Sequence, residues 1–370
     1  MKLRQPLVLG FTVGLTAVLA CACSSGSSSG GSASAAPVSV NLGTAQAKQA
    51  LEALYSKAVA AGQTSVVIYG PSAGSDQQEY AAFKAAFPKI TVSGVPVVGP
   101  PMQAKLSAEF ASGKHIGDIA YTGGPNMMQY AASGWLAPFA PASISGSSAL
   151  AADSVGPDND FYGVTISVAG TVTNSSTVKT PPTQWTDLES PAYKNEIAMY
   201  DPTAIGLMDD NFAHLALEPQ YSRLEADLKA NNAQLFPATS ITGPLTAVAQ
   251  GAKKVAIGMG YNFYMQAKAA GAPIAFSLFT ADNYSTSLYD GLIKGAPDPL
   301  AAQLYEDWMF TPDAAAAIAA EGSYSTVTGA VAPKGLPALS AIALQTAIPL
   351  TQVTAADNAA IVAAKQYWGS

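Results

Sequence analysis

The stretch TSVVIYGPSAGSDQQEYAAFKAAFPKI, residues 64–90, contains the signals of a strand, a turn and a helix in close succession. Val66, Val67 and Ile68 form a short β-branched run, which is typical of a strand covered on both faces of a sheet. Residues 76–87 have the spacing of a helix, and small or polar residues fill the gap before it. Such a gap presents backbone N–H groups at a helix start to an oxygen-rich ligand, although a simple strand-to-helix connection has the same composition. The stretch therefore predicts an α/β unit and leaves a binding role of its turn open.

Strand-like and helix-like segments alternate through the rest of the chain. Strands are predicted at residues 90–98, 118–121, 197–200, 255–259 and 273–279, and helices at residues 102–112, 126–133, 207–217, 262–270, 300–309 and 312–321. Two β-rich runs, residues 163–173 and 287–293, are candidates for crossovers between two lobes. This alternation is the pattern of an α/β fold with a mainly parallel sheet, in which ligands bind outside the carboxyl ends of the strands.

The N-terminal residues have the composition of an export signal. A positively charged start precedes an apolar stretch that is short for a transmembrane helix, so residues 1–20 are predicted to be a signal peptide. The run VLAC, which ends at Cys21, resembles the lipobox of bacterial lipoproteins, in which the cysteine is lipidated. Cys21 is therefore the predicted lipidation site, and Cys23 is the alternative. Residues 21–43 are rich in Ser, Gly and Ala, and we expect them to form a flexible tether.

The composition limits the classes of function. Of the 370 residues, 49% are hydrophobic and 12% are charged, so the chain can bury a large core, and its length suggests two lobes. A net charge of -7 argues against nucleic acid, which requires basic patches. His115 precedes a predicted strand and His214 lies within a predicted helix, and the sequence has no HExxH, Walker-type or serine–base motif. We therefore predict no catalytic residue and no metal ligand.

Several segments, taken in their order and spacing, resemble one protein family. They are AVAAGQTSVVIYGPS, FKAAFPKITV, GDIAYTGG followed by GWLAPF, FYGVTISVAGTVTNSSTV followed by PPTQWTDLESPAYKNEIAMYDPTAIG, and GAPDPLAAQLYEDWMF, within residues 51–324. The chain is similar to the extracytoplasmic solute-binding proteins of bacterial ABC importers, in the branch that includes ferric-iron, thiamine, polyamine and aminoethylphosphonate binders. The resemblance implies a two-lobed periplasmic-binding-protein fold of type II with a ligand cleft between the lobes. Lobe 1 would contain residues 44–169 plus 284–370, and lobe 2 residues 170–283.

The same resemblance implies a role in transport. A lipoprotein of this family is anchored at the extracytoplasmic face of the cell membrane, binds a small solute by hinge closure and delivers it to ABC permease subunits. The resemblance also implies a monomer without a cofactor and without enzymatic activity. Two other classes of function are alternatives: an exported hydrolase, for which the sequence offers no nucleophile–base pair, and a sensory lipoprotein, which would use the same closed state as a transport protein.

Four loops are expected to face the cleft, because each follows a predicted strand. Three of them combine Ser or Thr with Gly at a helix start. Helix capping explains any one of these alone, but their recurrence on one edge favours an oxygen-bearing ligand. The candidate ligand-binding residues are Tyr69, Ser72, Gly74 and Ser75 in the first loop, Thr122 and Gly123 in the second, Asp201 and Thr203 in the third, Tyr261 and Asn262 in the fourth, and Tyr289.

The residue types in these loops favour a small zwitterionic solute. Arginine occurs only as Arg4 and Arg223, so backbone N–H groups and hydroxyls would bind an oxyanion. An organophosphorus head, such as a phosphonate or a phosphate ester, fits this set of donors. The tyrosines of the loops, together with Asp201 or Asp290, would receive an attached amine.

The alternative is a binder of ferric iron, thiamine or a polyamine within the same family. The ferric-iron members hold the metal with paired tyrosines, and here the corresponding pair is Tyr261-Asn262. This departure weakens the iron hypothesis, because an amide is a poor substitute for a phenolate as a ligand of Fe(III).

Overall fold

Strands and helices alternate along the chain, as the sequence predicts. The computed structural model describes residues 40–144, 150–151, 153–237 and 239–369. The strands are β1 (Ser65–Gly70), β2 (Thr91–Pro96), β3 (Ile119–Gly123), β4 (Tyr162–Asn174), β5 (Ile197–Tyr200), β6 (Gln234–Phe236), β7 (Val255–Gly260), β8 (Ile274–Ser277), β9 (Ser285–Leu292) and β10 (Tyr324–Ser325). The α-helices are α1 (Ala45–Ala60), α2 (Gln77–Ala86), α3 (Gly99–Ser112), α4 (Gly124–Ala132), α5 (Leu207–Leu215), α6 (Leu224–Ala230), α7 (Gly243–Ala249), α8 (Tyr261–Ala269), α9 (Pro299–Trp308), α10 (Pro312–Ala320) and α11 (Leu350–Trp368).

The strands form one mixed sheet in the order β2-β1-β3-β9-β4-β7-β5-β6, with β8 and β10 also paired to β4. The outer strands are parallel: β1 pairs with β2 and β3, and β5 pairs with β6 and β7. The central pairings of β4 and β9 are antiparallel. The α/β class is confirmed, but the sheet is parallel only toward its two edges, because β4 and β9 run against their neighbours.

The long strand β4 joins the two halves of the sheet. Its first part pairs with β9, ending at Val168 opposite Ser285, and its second part pairs with β7 from Ala169 opposite Gly260. The chain returns to the first half between β8 and β9. We call the half around β1, β2, β3 and β9 the first half, and the half around β5, β6, β7 and β8 the second half. The boundaries of the two lobes at residues 169/170 and 283/284 remain predictions, and these are the places where the pairing partners change.

Each half has its own hydrophobic core. Aromatic side chains fill much of the core of the first half, where Phe83 lies 5.3 Å from Trp308 and 5.1 Å from Tyr305 between ring centroids. In the second half, Trp185 packs on Phe279 with ring centroids 4.7 Å apart. Two separate cores leave the surface between them free to form a cleft.

Helix α11 packs against both halves. Near its start, Leu350 and Val353 belong to a buried cluster of the first half. At its end, Trp368 packs against the core of the second half, and its indole Nε1 donates a hydrogen bond to Glu225 Oε2 at 3.2 Å. The helix also contacts α4 of the first half and α5 and α6 of the second. A simple assignment of residues 284–370 to lobe 1 therefore does not describe this helix.

The predicted signal peptide at residues 1–20, together with Cys21 and Cys23, lies outside the described residues. The last residues of the predicted tether, up to residue 43, are not a free linker. Asn41 N donates to an Asp313 carboxylate oxygen at 2.8 Å, and Leu42 is buried in the core of the first half. The apolar side chain of Leu42 explains this attachment, since it gains from leaving water. Within the described residues, none of the helices combines the length and apolar character needed to span a bilayer.

Candidate functional site

A cleft with a volume of about 170 Å³ lies where strands of both halves end. The first half contributes the ends of β1, β2 and β3, and the second half contributes the end of β5 and the start of α5. Strand β9 and helix α11 close its base. The residues that line it are Pro71, Val98, Gly99, Pro100, Thr122, Gly123, Pro125, Asn126, Tyr200, Ile205, Gly206, Leu207, Asp210, Thr239, Ile241, Phe263, Tyr284, Thr286, Leu288 and Asp357.

Two helices of the first half begin at the wall of the cleft. The N-terminal residues of α3 and α4 follow Val98 and Gly123, which have no side-chain oxygen to cap the first N–H groups. The positive ends of both helix dipoles therefore lie at the cleft. Pro100 and Pro101 of α3 and Pro125 of α4 have no N–H group, so only the other residues of each first turn can donate to a ligand. Beside them, Thr122 is buried, and its Oγ1 accepts a hydrogen bond from Asn126 Nδ2 at 3.4 Å. This wall can bind a negatively charged group without a basic side chain.

The opposite wall is formed by the second half. The side chain of Tyr200 lines the cleft after β5, and Gly206 precedes α5. Gly206 N donates to Asp209 Oδ1 at 2.5 Å, so a side chain of its own helix occupies this N–H group. This N–H group is therefore not free to bind an anion.

Acidic side chains form the base of the cleft. Asp210 of α5 and Asp357 of α11 both line it, and Asp209 lies buried behind them. Burial, together with the charge of Asp210, raises the pKa of Asp357 to about 8. Burial and the charges of Asp357 and Asp210 raise the pKa of Asp209 to about 9. At neutral pH Asp357 and Asp209 therefore retain protons that isolated carboxyls would release.

The cluster is held in place by neighbouring donors. Tyr284 on the segment before β9 donates a short hydrogen bond to Asp210 Oδ2, and Thr286 Oγ1 donates to the same oxygen at 3.4 Å. His214 Nε2 lies 3.6 Å from Asp210 Oδ1. Burial lowers the pKa of His214, but the interaction with Asp210 outweighs it and the pKa is raised. Asp210 is thus fixed by three side chains, while Asp357 faces the cleft.

Residues 78–343 match the family model described as bacterial extracellular solute-binding protein. The chain belongs to the bacterial extracellular solute-binding proteins. This match covers most of the chain and extends from α2 to the segment just before α11. No curated protein matches the sequence of this solute-binding protein.

Solved structures of periplasmic binding proteins share the fold of this solute-binding protein. Iron-bound HitA from Pseudomonas aeruginosa has 18% identity, a TM-score of 0.65, and coverage of 80% of this chain and 99% of that chain. AfuA from Actinobacillus pleuropneumoniae, with exogenous fructose-6-phosphate bound, has 19% identity, a TM-score of 0.67, and coverage of 82% and 98%. Apo ferric ion-binding protein A from Pasteurella haemolytica has 15% identity, a TM-score of 0.62, and coverage of 82% and 98%. At these identities the similarity shows the fold alone, and it confirms the periplasmic-binding-protein fold expected from the sequence.

Of the predicted binding residues of this solute-binding protein, Thr122 and Gly123 line the cleft. The first loop touches the cleft through Pro71, whereas its predicted residues do not line it. Tyr69 is buried beneath the sheet, where its phenol donates to Glu109 Oε1 at 2.7 Å. Ser72 Oγ donates to Asp76 Oδ2 at 3.0 Å, and Ser75 Oγ donates to the Ser72 carbonyl at 2.9 Å, so these hydroxyls serve the turn itself.

Gly74 of the first loop and Asp201 and Thr203 of the third loop do not line the cleft either. Gly74 is exposed and lies next to Pro96. Asp201 Oδ1 accepts hydrogen bonds from Thr203 N at 2.9 Å and from Thr203 Oγ1 at 2.7 Å, which is a local Asx turn. The neighbours of this turn, at residues 205–207, line the cleft instead.

The predicted tyrosines point away from the cleft. The phenol of Tyr261 donates to the Lys334 carbonyl at 2.8 Å, and its ring packs against Phe276. The phenol of Tyr289 donates to the Asp153 carbonyl at 3.2 Å. Asn262 is not among the residues that line the cleft, although the next residue, Phe263, is. Among the described residues, no group of three or more His, Cys, Asp or Glu side chains is arranged to hold a metal ion.

Sequence reasoning missed the acidic base of the cleft. Asp209 and Asp210 follow Gly206 at the start of a helix, where acidic residues are expected for capping alone. Asp357 lies in a run of alanines near the end of the chain, and its sequence context has no motif. The position of Asp357 is set by the packing of α11, which only the structure reveals.

Proposed function

We propose that this protein is the solute-binding component of an ABC importer, which captures a small solute in the cleft and delivers it to a membrane permease. The observation that carries this proposal is the cleft itself, because both halves of the sheet contribute to its walls. A ligand that touches both walls stabilises the closed arrangement over an open one. Lipid anchoring through Cys21 at the extracytoplasmic face of the membrane and a monomeric state are parts of the same proposal.

The solute that the cleft favours carries an oxyanion, such as the head of a phosphonate or a phosphate ester. The starts of α3 and α4 supply helix dipoles and the N–H groups of their non-proline residues, and the hydroxyl of Thr122 lies beside them. AfuA, which shares the fold, has a sugar phosphate bound. A dipole site of this kind agrees with the scarcity of arginine in the sequence.

Ferric iron is the weaker candidate, although HitA with the same fold is iron-bound. Fe(III) requires several anionic oxygen ligands. The phenol groups of Tyr261 and Tyr289 donate to backbone carbonyls, and Asn262 stands in place of a second adjacent tyrosine. Thiamine and polyamines are the other alternative solutes.

The test measures the unfolding temperature of the full chain with phosphonates, phosphate esters, ferric citrate, thiamine and polyamines. A solute at about 100 times its Kd stabilises by roughly 2.7 kcal/mol and raises the midpoint by a few degrees. We expect a rise with at least one phosphorus compound. A rise with ferric citrate alone would contradict the oxyanion site.

The variant Thr122→Val then tests the position of the oxyanion. The change removes a hydroxyl beside the start of α4 and keeps the branched shape of the side chain. We expect about tenfold weaker binding of the phosphorus compound in calorimetry, which corresponds to about one hydrogen bond. Thr351→Val, the same change at an exposed position of α11, is the control and should leave the affinity unchanged. Equal affinities of Thr122→Val and the unmodified protein would place the oxyanion elsewhere.

A further inference from the structure

Two carboxyl groups at the base of the cleft have oxygen atoms without a hydrogen-bond donor. Asp210 and Asp357 are 9% and 2% exposed, respectively. Asp357 Oδ1 accepts no hydrogen bond from any described residue, and neither does Asp210 Oδ1, whose neighbour is His214 Nε2 at 3.6 Å. A buried carboxylate oxygen without a donor is costly, because the group has lost its water and gained nothing in exchange. Both side chains line the cleft, so a ligand there can supply the missing donors.

The protein itself supplies little positive charge at this place. None of the described residues that line the cleft is a lysine or an arginine. The basic side chain beside the two carboxyls is His214, which lies 3.6 Å from Asp210 and also contacts the Thr346 carbonyl through Nδ1 at 2.7 Å. The charge of His214 acts on Asp357 as well, but its two ring nitrogens are engaged by Asp210 and the backbone.

Aromatic side chains line the same cleft as the two carboxyls. Tyr200, Phe263 and Tyr284 all line the same space, and the first and last of these are buried. Aromatic faces attract organic ammonium groups, whereas a hydrated metal ion requires several oxygen ligands in a closed shell. The described residues offer no such shell, since no group of three or more potential metal ligands is present among them. The surroundings therefore favour an organic cation over a metal ion.

We propose that Asp210 and Asp357 form an ammonium subsite, which binds a positively charged amine of the solute at the base of the cleft. The amine donates hydrogen bonds to the free carboxylate oxygens and is flanked by the aromatic rings. The proposal rests on the proposed function, because it assumes that the cleft is the solute site. Together with the oxyanion site at the starts of α3 and α4, it specifies a zwitterionic solute.

The subsite depends on a helix outside the matched region of the family. The match ends at residue 343, and α11, which contributes Asp357, begins at Leu350. Asp201 and Asp290, which the sequence suggested as partners of an amine, do not line the cleft. Asp290 is buried in the sheet of the first half. The assignment to Asp357 therefore comes from the packing of this chain.

Calorimetry on the full chain with matched ligand pairs tests the subsite. The pairs are 2-aminoethylphosphonate with ethylphosphonate and phosphoethanolamine with ethyl phosphate, and putrescine serves as an amine without an oxyanion. We expect the amine-bearing member of each pair to bind about tenfold to a hundredfold more tightly, because a hydrogen bond to a charged group contributes that much. Equal affinities within both pairs, or displacement by Ca²⁺ with no response to any amine, would overturn the proposal.

Two charge-removing variants locate the effect. Asp357→Asn and Asp210→Asn should each reduce the preference for the amine-bearing member by about tenfold or more, while binding of the deaminated member is unchanged or stronger. Asp158→Asn, the same change at an exposed position, is the control. The preference is the ratio of two affinities measured on the same variant, so a partly unfolded sample lowers the active fraction for both ligands and leaves this ratio unchanged. A preference that survives in both variants would overturn the proposal.

The outcomes separate this proposal from the proposed function. Binding of putrescine that is lost in Asp357→Asn, without binding of any phosphorus compound, would support the ammonium subsite and reject the oxyanion site. Binding of the phosphorus compounds without a preference for the amine-bearing members would support the oxyanion site and reject the ammonium subsite. If no amine binds at millimolar concentration, the subsite is rejected.

Discussion

In the proposed ammonium subsite, the carboxyl group of Asp357 would link the binding of a cation to pH. Burial and the charge of Asp210 raise the pKa of Asp357 to about 8, so this carboxyl is mostly protonated at neutral pH. Titratable groups that face it are Asp209, Asp210 and His214 on α5 and Tyr284 before β9. An ammonium group binds the ionised carboxyl better than the protonated one, so binding of the cation releases a proton.

We therefore predict that affinity for an amine that stays protonated rises from about pH 6 to about pH 9. Below the pKa of Asp357 the rise approaches tenfold per pH unit, because one proton is released for each amine bound. Calorimetry of putrescine over this range measures the slope. Asp357→Asn should have a flatter profile. An affinity that falls as pH rises would show that the ligand binds the protonated carboxyl.

At the residue scale the sequence predicted two residues of the first-half wall of the cleft but not the acidic side chains at its base. Thr122 and Gly123 follow an apolar strand directly, and a residue in that position lies at the ligand-binding edge of an α/β sheet. Ser72 and Thr203 satisfy the same rule, yet their hydroxyls bind neighbouring side chains in local turns. A hydroxyl after a strand serves a turn or a ligand, and the sequence does not distinguish the two uses.

At the element scale, the small residues in the turn between β1 and α2 are explained by the close contact of this turn with β2. Gly94 of β2 lies under this turn, and a Cβ atom added there would be 1.6 Å from the Ala73 carbonyl oxygen. Tyr80 of α2 donates to the same oxygen at 2.7 Å. The small residues of the turn allow this close approach. In this structure the gap before α2 thus serves the packing of the turn on the sheet, and only Pro71 of it reaches the cleft.

We predict that Gly94→Ala destabilises the protein by about 1 to 3 kcal/mol, because the added methyl group meets rigid backbone and displaces the turn. Urea unfolding measures the change. Ser93→Ala, an exposed position on the same strand, is the control and should change stability by less than about 0.5 kcal/mol. Equal stability of the two variants would mean that the turn moves without cost.

Most elements of the fold could be predicted from periodicity, and the exceptions have physical reasons. The strand at residues 163–173 was evident from its uncharged β-rich run, and β4 extends it by one residue at each end. The short elements α6, β6 and α7 have too few residues for a period to show. Helix α11 was missed because alanine-rich segments have little amphipathic contrast, and its helical state is supported by packing on α4 and α5.

At the scale of the whole molecule, buried carboxyl groups determine how stability depends on pH. Burial is the largest cause of raised pKa values at Asp76 and Asp357, both about 8, at Asp209, about 9, and at Glu225, about 7. The pKa values of three further carboxyls are raised in the same direction by burial: Glu79, Asp290 and Glu306. In the unfolded chain these groups ionise near pH 4, so between about pH 4 and pH 8 the folded state binds more protons.

Stability is therefore predicted to fall as pH rises through this range, and the unfolding temperature should be several degrees higher at about pH 5 than at about pH 8. Thermal unfolding without ligand at the two pH values measures this difference in unfolding temperature. Asp209→Asn removes one of the buried carboxyls and should reduce the difference. Equal unfolding temperatures at the two pH values would show that these carboxyls ionise in the folded protein as they do in the unfolded chain, and a higher one at the more alkaline pH would contradict the prediction as well.

The division into two halves was predictable at this scale, whereas the closing of the cleft by α11 was not. The uncharged β-rich run at residues 163–173 marked the first connection, and the resemblance of the chain supplied the family fold. The run at residues 287–293, predicted as the second crossover, lies in β9 of the first half, and the chain returns just before that strand. Contacts of α11 with both halves depend on distant parts of the chain meeting in space. No local signal in the sequence reports such contacts.

The end of α11 gives the protein an intrinsic optical probe. Trp368 lies on the same helix as Asp357, and the buried indoles of Trp185 and Trp308 are shielded from events at the surface. The Trp368 ring has Lys229 Nζ 5.3 Å from its centroid and a carboxylate at its Nε1, two groups that influence indole emission. A ligand that binds Asp357 and moves α11 relative to its neighbours would change the surroundings of the Trp368 indole. Fluorescence titration of the unlabelled protein would then follow occupancy of the cleft without a reporter dye.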